Sequence, residues 1–315
     1  MAIGERLASP MTRLILVRLL QLPVILGVIF VATCALLMQT PGSPFDTNPE
    51  RPLTAEQKKL FEDRWQFNSL SGFIRLYLDR VFSEGDFGPS LQYKRPASEI
   101  ISKGLPVSTA VGVFALIAAL VMGLTAGVVG ALKPGSLLDS SSLAMAVIGV
   151  SLPSFVTASI LLTVFAGLLH WLPPTGWGRL EQMIMPAIAL GAAPAAYIAR
   201  LVRLGLAEVM NSDFIRTARA KGLSQTSALF NHAMKVAFLP VLSFLGPAAA
   251  STLTGSFVIE RVFAIPGLGD HFINAVLNND RFLVLGLVLV YSTILVVFNL
   301  IVDVAYAFVD PRIEL

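Results

Sequence analysis

Charge is what this sequence has least of. Of its 315 residues, 14% are charged and 55% are hydrophobic. Soluble domains carry about 25% charged residues, so a free-standing globular domain is excluded. Cysteine occurs once, at Cys34, which excludes a disulfide within the chain and leaves the redox compartment unread. The three histidines, His170, His232 and His271, are scattered along the sequence, and they do not form a metal site together. No GxxxxGK[ST] phosphate loop, HExxH or GxSxG occurs. The chain is therefore not expected to bind ATP itself, and neither catalytic zinc nor a nucleophile elbow is indicated. Paired carboxylates are missing from the apolar runs, which argues against an intramembrane enzyme. The net charge of +3 does not imply nucleic acid.

What is present is apolar sequence in long runs. Uncharged stretches cover residues 19–45, 105–132, 140–169, 182–199, 236–259 and 282–302. A bilayer-spanning helix needs about 20 mostly apolar residues, so six spans are expected. A β-barrel is excluded because these runs lack period-two alternation. Arg6, Arg13 and Arg18 precede the first span, which places the N-terminus in the cytoplasm by the positive-inside rule. That apolar run is longer than the h-region of a cleaved signal peptide.

Residues 46–103 form a long segment between the first two spans, with nine acidic and nine basic residues. It is expected outside the cytoplasm and helical. Thr54 with Gln57 makes a capping box, and Phe73, Leu76, Tyr77 and Val81 form an amphipathic pattern. Gly85-Asp86-Phe87-Gly88-Pro89-Ser90 is a turn cluster. The segment reads either as a packed cap or as part of an outer docking surface. This divides the chain into 1–104, a first span with its outer segment, and 105–315, a five-helix membrane core. Gly123 and Gly127 give a GxxxG spacing in the second span. Pro153 and Ser154 in the third span, and Pro194 in the fourth, are candidate kinks lining a pathway. His170-Trp171-Leu172-Pro173-Pro174 closes the third span at an interface.

The stretch around which the rest is organised is 211–240, NSDFIRTARAKGLSQTSALFNHAMKVAFLP. From Arg200 to Lys235 six basic residues face two acidic ones, an excess of four that places this loop in the cytoplasm. Ser212 or Asp213 can cap a helix, and Gly222 is a natural residue to end it. On a helical wheel Phe214, Ile215, Ala218 and Gly222 share one face, with Arg216 and Arg219 opposite. A short amphipathic helix held between two spans can present a face to a soluble partner.

The same stretch resembles the cytoplasmic coupling loop of the oligopeptide/dipeptide/nickel branch of bacterial ABC-importer permeases. Arg216-Thr217-Ala218 stands where the general pattern has Glu-Ala-Ala, Gly222 is kept, Leu239-Pro240 comes late, and His232-Ala233 follows as in that branch. Three further runs resemble the same branch: Pro41-Gly42-Ser43-Pro44-Phe45 after the first span, Glu260 followed by Pro266-Gly267-Leu268-Gly269 on the outer side, and Asp310-Pro311-Arg312 at the end. The resemblance implies an all-α membrane protein of the type I ABC-importer permease fold. It implies a coupling loop at about 211–235, with Phe214, Ile215 and Ala218 filling a groove on an ATPase subunit. Ala220 would allow close approach, Arg216, Arg219 and Lys221 would meet the rim, and Gly222 would set the turn. The implied partners are a second homologous permease, two ATP-binding subunits that hold ATP and Mg, and an extracytoplasmic peptide-binding protein. The implied location is the bacterial cytoplasmic (inner) membrane, with both termini inside. Oligopeptides are the expected cargo; dipeptides, nickel, glutathione and peptide antibiotics share the scaffold. An ion-coupled transporter is the rival reading, but no inverted repeat is detected and charges gather at span ends.

Overall fold

The structure is a computed structural model that describes residues 10–40, 54–132 and 134–309. The runs Pro41-Gly42-Ser43-Pro44-Phe45 and Asp310-Pro311-Arg312, and Lys133, lie outside the described residues. Thirteen α-helices follow in chain order among the described residues. Four helices are long and apolar enough to cross a bilayer: Ile15–Gln39 within α1 (Pro10–Gln39), α4 (Ala97–Leu132), α7 (Glu181–Val209) and Arg281–Tyr306 within α13 (Arg281–Val309). Two further candidates are bent. Leu137–Ser151 (α5) and Ser154–Leu168 (α6, Ser154–Leu161, with a π-helical turn) meet at 113°. Gln225–Ala237 and Leu239–Leu253 meet at 53°. Taking each pair as one span gives six.

The sequence reading expects a kinked third span, and the structure shows a break. Leu152 is extended, with φ −86° and ψ 128°, and Pro153 occupies the N-cap of α6. A proline pushes the residue before it out of the helical region and has no N–H to give the preceding turn. The fifth span bends for a related reason. It is entered through α9 (Gln225–Ala228), a π-helical turn (Leu229–Ala233) and α10 (Met234–Ala237), and α11 (Leu239–Val262) starts with Pro240 in its first turn. Pro23, Pro186 and Pro194, by contrast, sit inside helices that run on through them.

Contacts divide the chain into two compact units, and each interleaves along the sequence. Among the described residues, one unit comprises 16–40, 54–108 and 266–296, and the other 10–15, 109–132, 134–265 and 297–309. In the first of these, α2 (Ala55–Arg64) starts with the expected capping box: Gln57 N–H donates to Thr54 Oγ1 at 3.3 Å, and Thr54 N–H donates to Gln57 Oε1 at 3.0 Å. The amphipathic pattern that follows becomes α3 (Leu70–Asp79), with Phe73 and Tyr77 fully buried. Both pack around Phe282 with Trp65 and Phe67, at ring centroid separations of 5.1 to 6.2 Å. Two residue pairs form a small antiparallel ladder, β1 (Pro89–Ser90) with β2 (Arg95–Pro96).

In the second unit, α7 is the central helix, and α5, α6 and α11 pack against it. The GxxxG of α4 has a definite use there. A Cβ on Gly123 or Gly127 would come within 2.7 Å of the Ala195 or Ala199 carbonyl oxygen of α7. Only glycine permits this approach of two backbones.

Candidate functional site

The organising stretch forms α8 (Asp213–Ala220), an eight-residue helix between α7 and α9. Ser212 sits at the N-cap with extended backbone, but its hydroxyl donates back to the Val209 carbonyl at 2.6 Å instead of accepting from the helix. The C-terminal end is a Schellman turn. Gly222 N–H bonds the Arg219 carbonyl at 2.9 Å, and Leu223 N–H bonds that of Ala218 at 3.3 Å. Gly222 has φ +94°, the left-handed backbone that the motif needs and that a β-carbon disfavours. Ser224 then caps α9 by accepting from Ser227 N–H at 3.2 Å.

Burial divides the face that the helical wheel groups together. Ile215 is 0% exposed and belongs to a buried cluster with Val202 and Leu206 of α7, Ala228 and Leu229 after the turn, and Ala237 and Val241 beyond. It is an anchor within this chain and is not free to fill a partner's groove. This corrects the role assigned to it from sequence: the apolar face has its own cluster to complete, and one full-sized side chain completes it. Phe214, one residue and about 100° away on the helix, is 46% exposed. Ala218 is half-buried, and Arg216, Arg219, Ala220, Lys221 and Gly222 are exposed. The Asp213–Arg216 pair at 3.4 Å has side chains 96% and 74% exposed, and such a pair contributes little. The surface on offer is therefore Phe214 with a ring of three cations.

The other sites named from sequence are less unified. Glu260 lies fully buried in the last turn of α11, while Pro266 and Gly267 lead into α12 (Leu268–Leu277), whose first turn holds Gly269. The N–H of Leu268 is satisfied by Ser108 Oγ of α4 at 2.8 Å. Pro153 is exposed and Ser154 half-buried at the break, whereas Pro194 is buried in mid-α7. Pro194 therefore supports packing and not an open surface of this chain.

Two polar nodes were not read from sequence. In one, Arg203 of α7 clasps Asp139 of α5 with Nε–Oδ1 2.5 Å and Nη2–Oδ2 2.9 Å. The partners lie 64 residues apart, and Arg203 counts in the sequence only as one of the six basic residues of the loop. In the other, buried Asp280 accepts from Ser90 Oγ at 2.5 Å, from Gln92 N–H at 3.2 Å and from Leu283 N–H at 3.4 Å. Burial raises the Asp280 carboxyl above its ordinary value, against the pull of these donors. Near it His271 stacks edge-on with Tyr93 at 4.8 Å, and burial lowers its imidazole pKa. His271, Tyr93, Arg95, Glu99 and Lys103 line a cavity of about 550 Å³.

A chain of apolar spans carrying a short amphipathic helix between two of them has the build of a membrane permease. The family described as "Binding-protein-dependent transport system inner membrane component" matches residues 106–315. The oligopeptide transport system permease protein OppB of Haemophilus influenzae is 41% identical over 308 residues, covering 96% of this chain and 100% of that protein. OppB of Escherichia coli K12 is 41% identical over 309 residues, with the same coverage. The dipeptide permease DppB of Bacillus subtilis is 38% identical over 291 residues, covering 91% of this chain and 93% of its own length. Among solved structures, an inward-facing MetNI methionine ABC transporter aligns with TM-score 0.53 at 20% identity, over 68% of this chain and 97% of that one; this likeness concerns fold alone. The chain belongs to the family of binding-protein-dependent transport system inner membrane components, as a permease subunit of an ABC importer.

Proposed function

We propose that this chain imports oligopeptides, as one of two related permeases served by two ATP-binding subunits and an extracytoplasmic binding protein. The observation that carries the cargo is the near full-length identity with two oligopeptide permeases. ATP and Mg belong to the partner subunits in this reading, and hydrolysis there alternates the pathway between outward- and inward-open states. α8 is the coupling element. Phe214 enters the ATPase groove, Arg216, Arg219 and Lys221 meet acidic or carbonyl acceptors around it, and Ile215 ties the helix to the permease body. The break at Pro153 and Ser154 faces the pathway. Both termini are cytoplasmic.

Uptake of labelled peptide by the reconstituted complex, competed with di- to hexapeptides, tests the cargo. Competition by dipeptides alone would favour a dipeptide importer, the reading that DppB supports. Gradient-driven accumulation by the isolated chain would establish an ion-coupled transporter instead. For topology, an impermeant thiol reagent applied from outside should label Glu62→Cys and spare Gln225→Cys. Equal labelling of both would sink the orientation.

A further inference from the structure

We infer that the Asp139–Arg203 pair is a positioning element that carries displacement of α8 to the broken span α5–α6. The inference rests on the proposed role of α8 and extends it into the membrane part of the chain.

Asp139 is the third residue of α5, and its side chain is 4% exposed. Arg203 meets it with two parallel N–H bonds, the fork geometry that fixes direction as well as distance. Oδ2 also accepts the Gly135 N–H at 2.9 Å, and the Asp139 N–H is capped by Ser136 Oγ at 3.3 Å. The turn before α5 and the start of α5 are thus tied to one guanidinium. With Arg203 25% exposed, such a pair is poor evidence for net stability, because desolvation offsets attraction, but its fork favours one arrangement of the elements it joins.

The location gives the pair its use. Val202 and Leu206 flank Arg203 on α7, are fully buried, and share a cluster with Ile215 of α8. One turn of α7 therefore holds the anchor of the coupling helix on one face and the start of α5 on the next. From Asp139, α5 runs as one helix to the break at Leu152 and Pro153. A movement imposed on α8 reaches α7 through Ile215, α5 through Arg203 and Asp139, and then the break. A hydrophobic contact in place of the pair could slide; the bidentate fork resists sliding.

The test uses the assembled complex in a Cys34→Ala background with a reporter, Ser151→Cys, beside the break, where Ser151 is exposed. Maleimide labelling is compared without nucleotide and with ATP trapped by vanadate. With the pair intact, the rate should change by about tenfold, within the usual range of coupling between sites. In Asp139→Asn, and in Arg203→Lys as a milder variant that keeps the charge but loses the fork, the change should shrink to about twofold or less, with nucleotide still trapped. If Asp139→Asn does not assemble, Arg203→Lys decides alone. An unchanged ATP response in both variants, or no response with the pair intact, overturns the inference. A complex whose reporter responds to ATP but which moves no peptide would leave the pair standing and remove the oligopeptide cargo.

Discussion

The region from α2 to β2, with the start of α13, and the short helix α8 are fixed in opposite ways. The first is locked by volume and by the hydrogen bonds around one buried carboxylate. Four aromatic side chains meet around Phe282, and the Asp280 carboxylate accepts from Ser90, Gln92 and Leu283. The second is held by one apolar anchor, Ile215, and by a glycine turn, while its cations stay in solvent. Many mutual contacts hold the first region in one shape, whereas a single anchor leaves α8 with one point of attachment. Under the coupling role proposed for α8, the difference is the one expected between a part that keeps its shape and a part that transmits a push.

The largest effect should come from breaking the aromatic cluster. Phe73→Ala removes a fully buried ring and should cost about 3–5 kcal/mol of stability. It should lower the thermal midpoint of the purified complex with little change in the ATPase activity of the surviving fraction. If midpoint and ATPase coupling change together, the contrast between the two regions fails.

Next comes the anchor of α8 against its exposed neighbour. Ile215→Ala should cost about 2–4 kcal/mol locally and uncouple transport, so that ATP is hydrolysed with little peptide uptake. Phe214→Ala, on an exposed side chain, should instead weaken retention of the ATPase subunits in pull-down. If the two variants gave the same phenotype, the division of the helix face would be wrong. Gly222→Val places a β-branched residue at φ +94°, at a local cost of about 1–2 kcal/mol. Nothing lies within 4 Å of a Cβ there, so the loss reports backbone strain and not a clash. The complex should still assemble, with uptake reduced.

The same contrast explains what could be read from sequence. Local rules act within a few residues, so the Thr54–Gln57 box, the Phe73–Tyr77 face and the Gly222 turn were legible. Six apolar runs gave the candidate spans. A helical wheel grouped Phe214 with Ile215 but could not tell which of them the chain's own cluster would claim. Proline marked the third span, yet the size of the bend depended on Leu152 leaving the helix altogether, while Pro194 bends nothing so sharply in a helix packed on several sides. The Asp139–Arg203 clasp joins residues 64 positions apart, and no periodic signal reports such a pair.

The smallest effect concerns pH and belongs to the first region. Burial holds the His271 imidazole below its ordinary value of 6.5, with Asp270 pulling the other way. The folded state then binds the proton less readily than the unfolded chain. The stability this lends is fully present above about pH 6.5 and is lost as pH falls through the folded value. Asp280 has the opposite sign. Its carboxyl is raised above 3.8, so its contribution is present below that value and lost as pH rises through the folded one. Between these limits the two oppose each other, and the thermal midpoint of the complex should vary only gently with pH. His271→Gln removes one arm. Lowering the pH from 7 to 5 should then reduce the midpoint by less than in the unmodified chain. A midpoint that falls equally in both proteins would mean that His271 is protonated alike in the folded and unfolded states, and that its burial between Tyr93 and the cavity wall has no energetic weight.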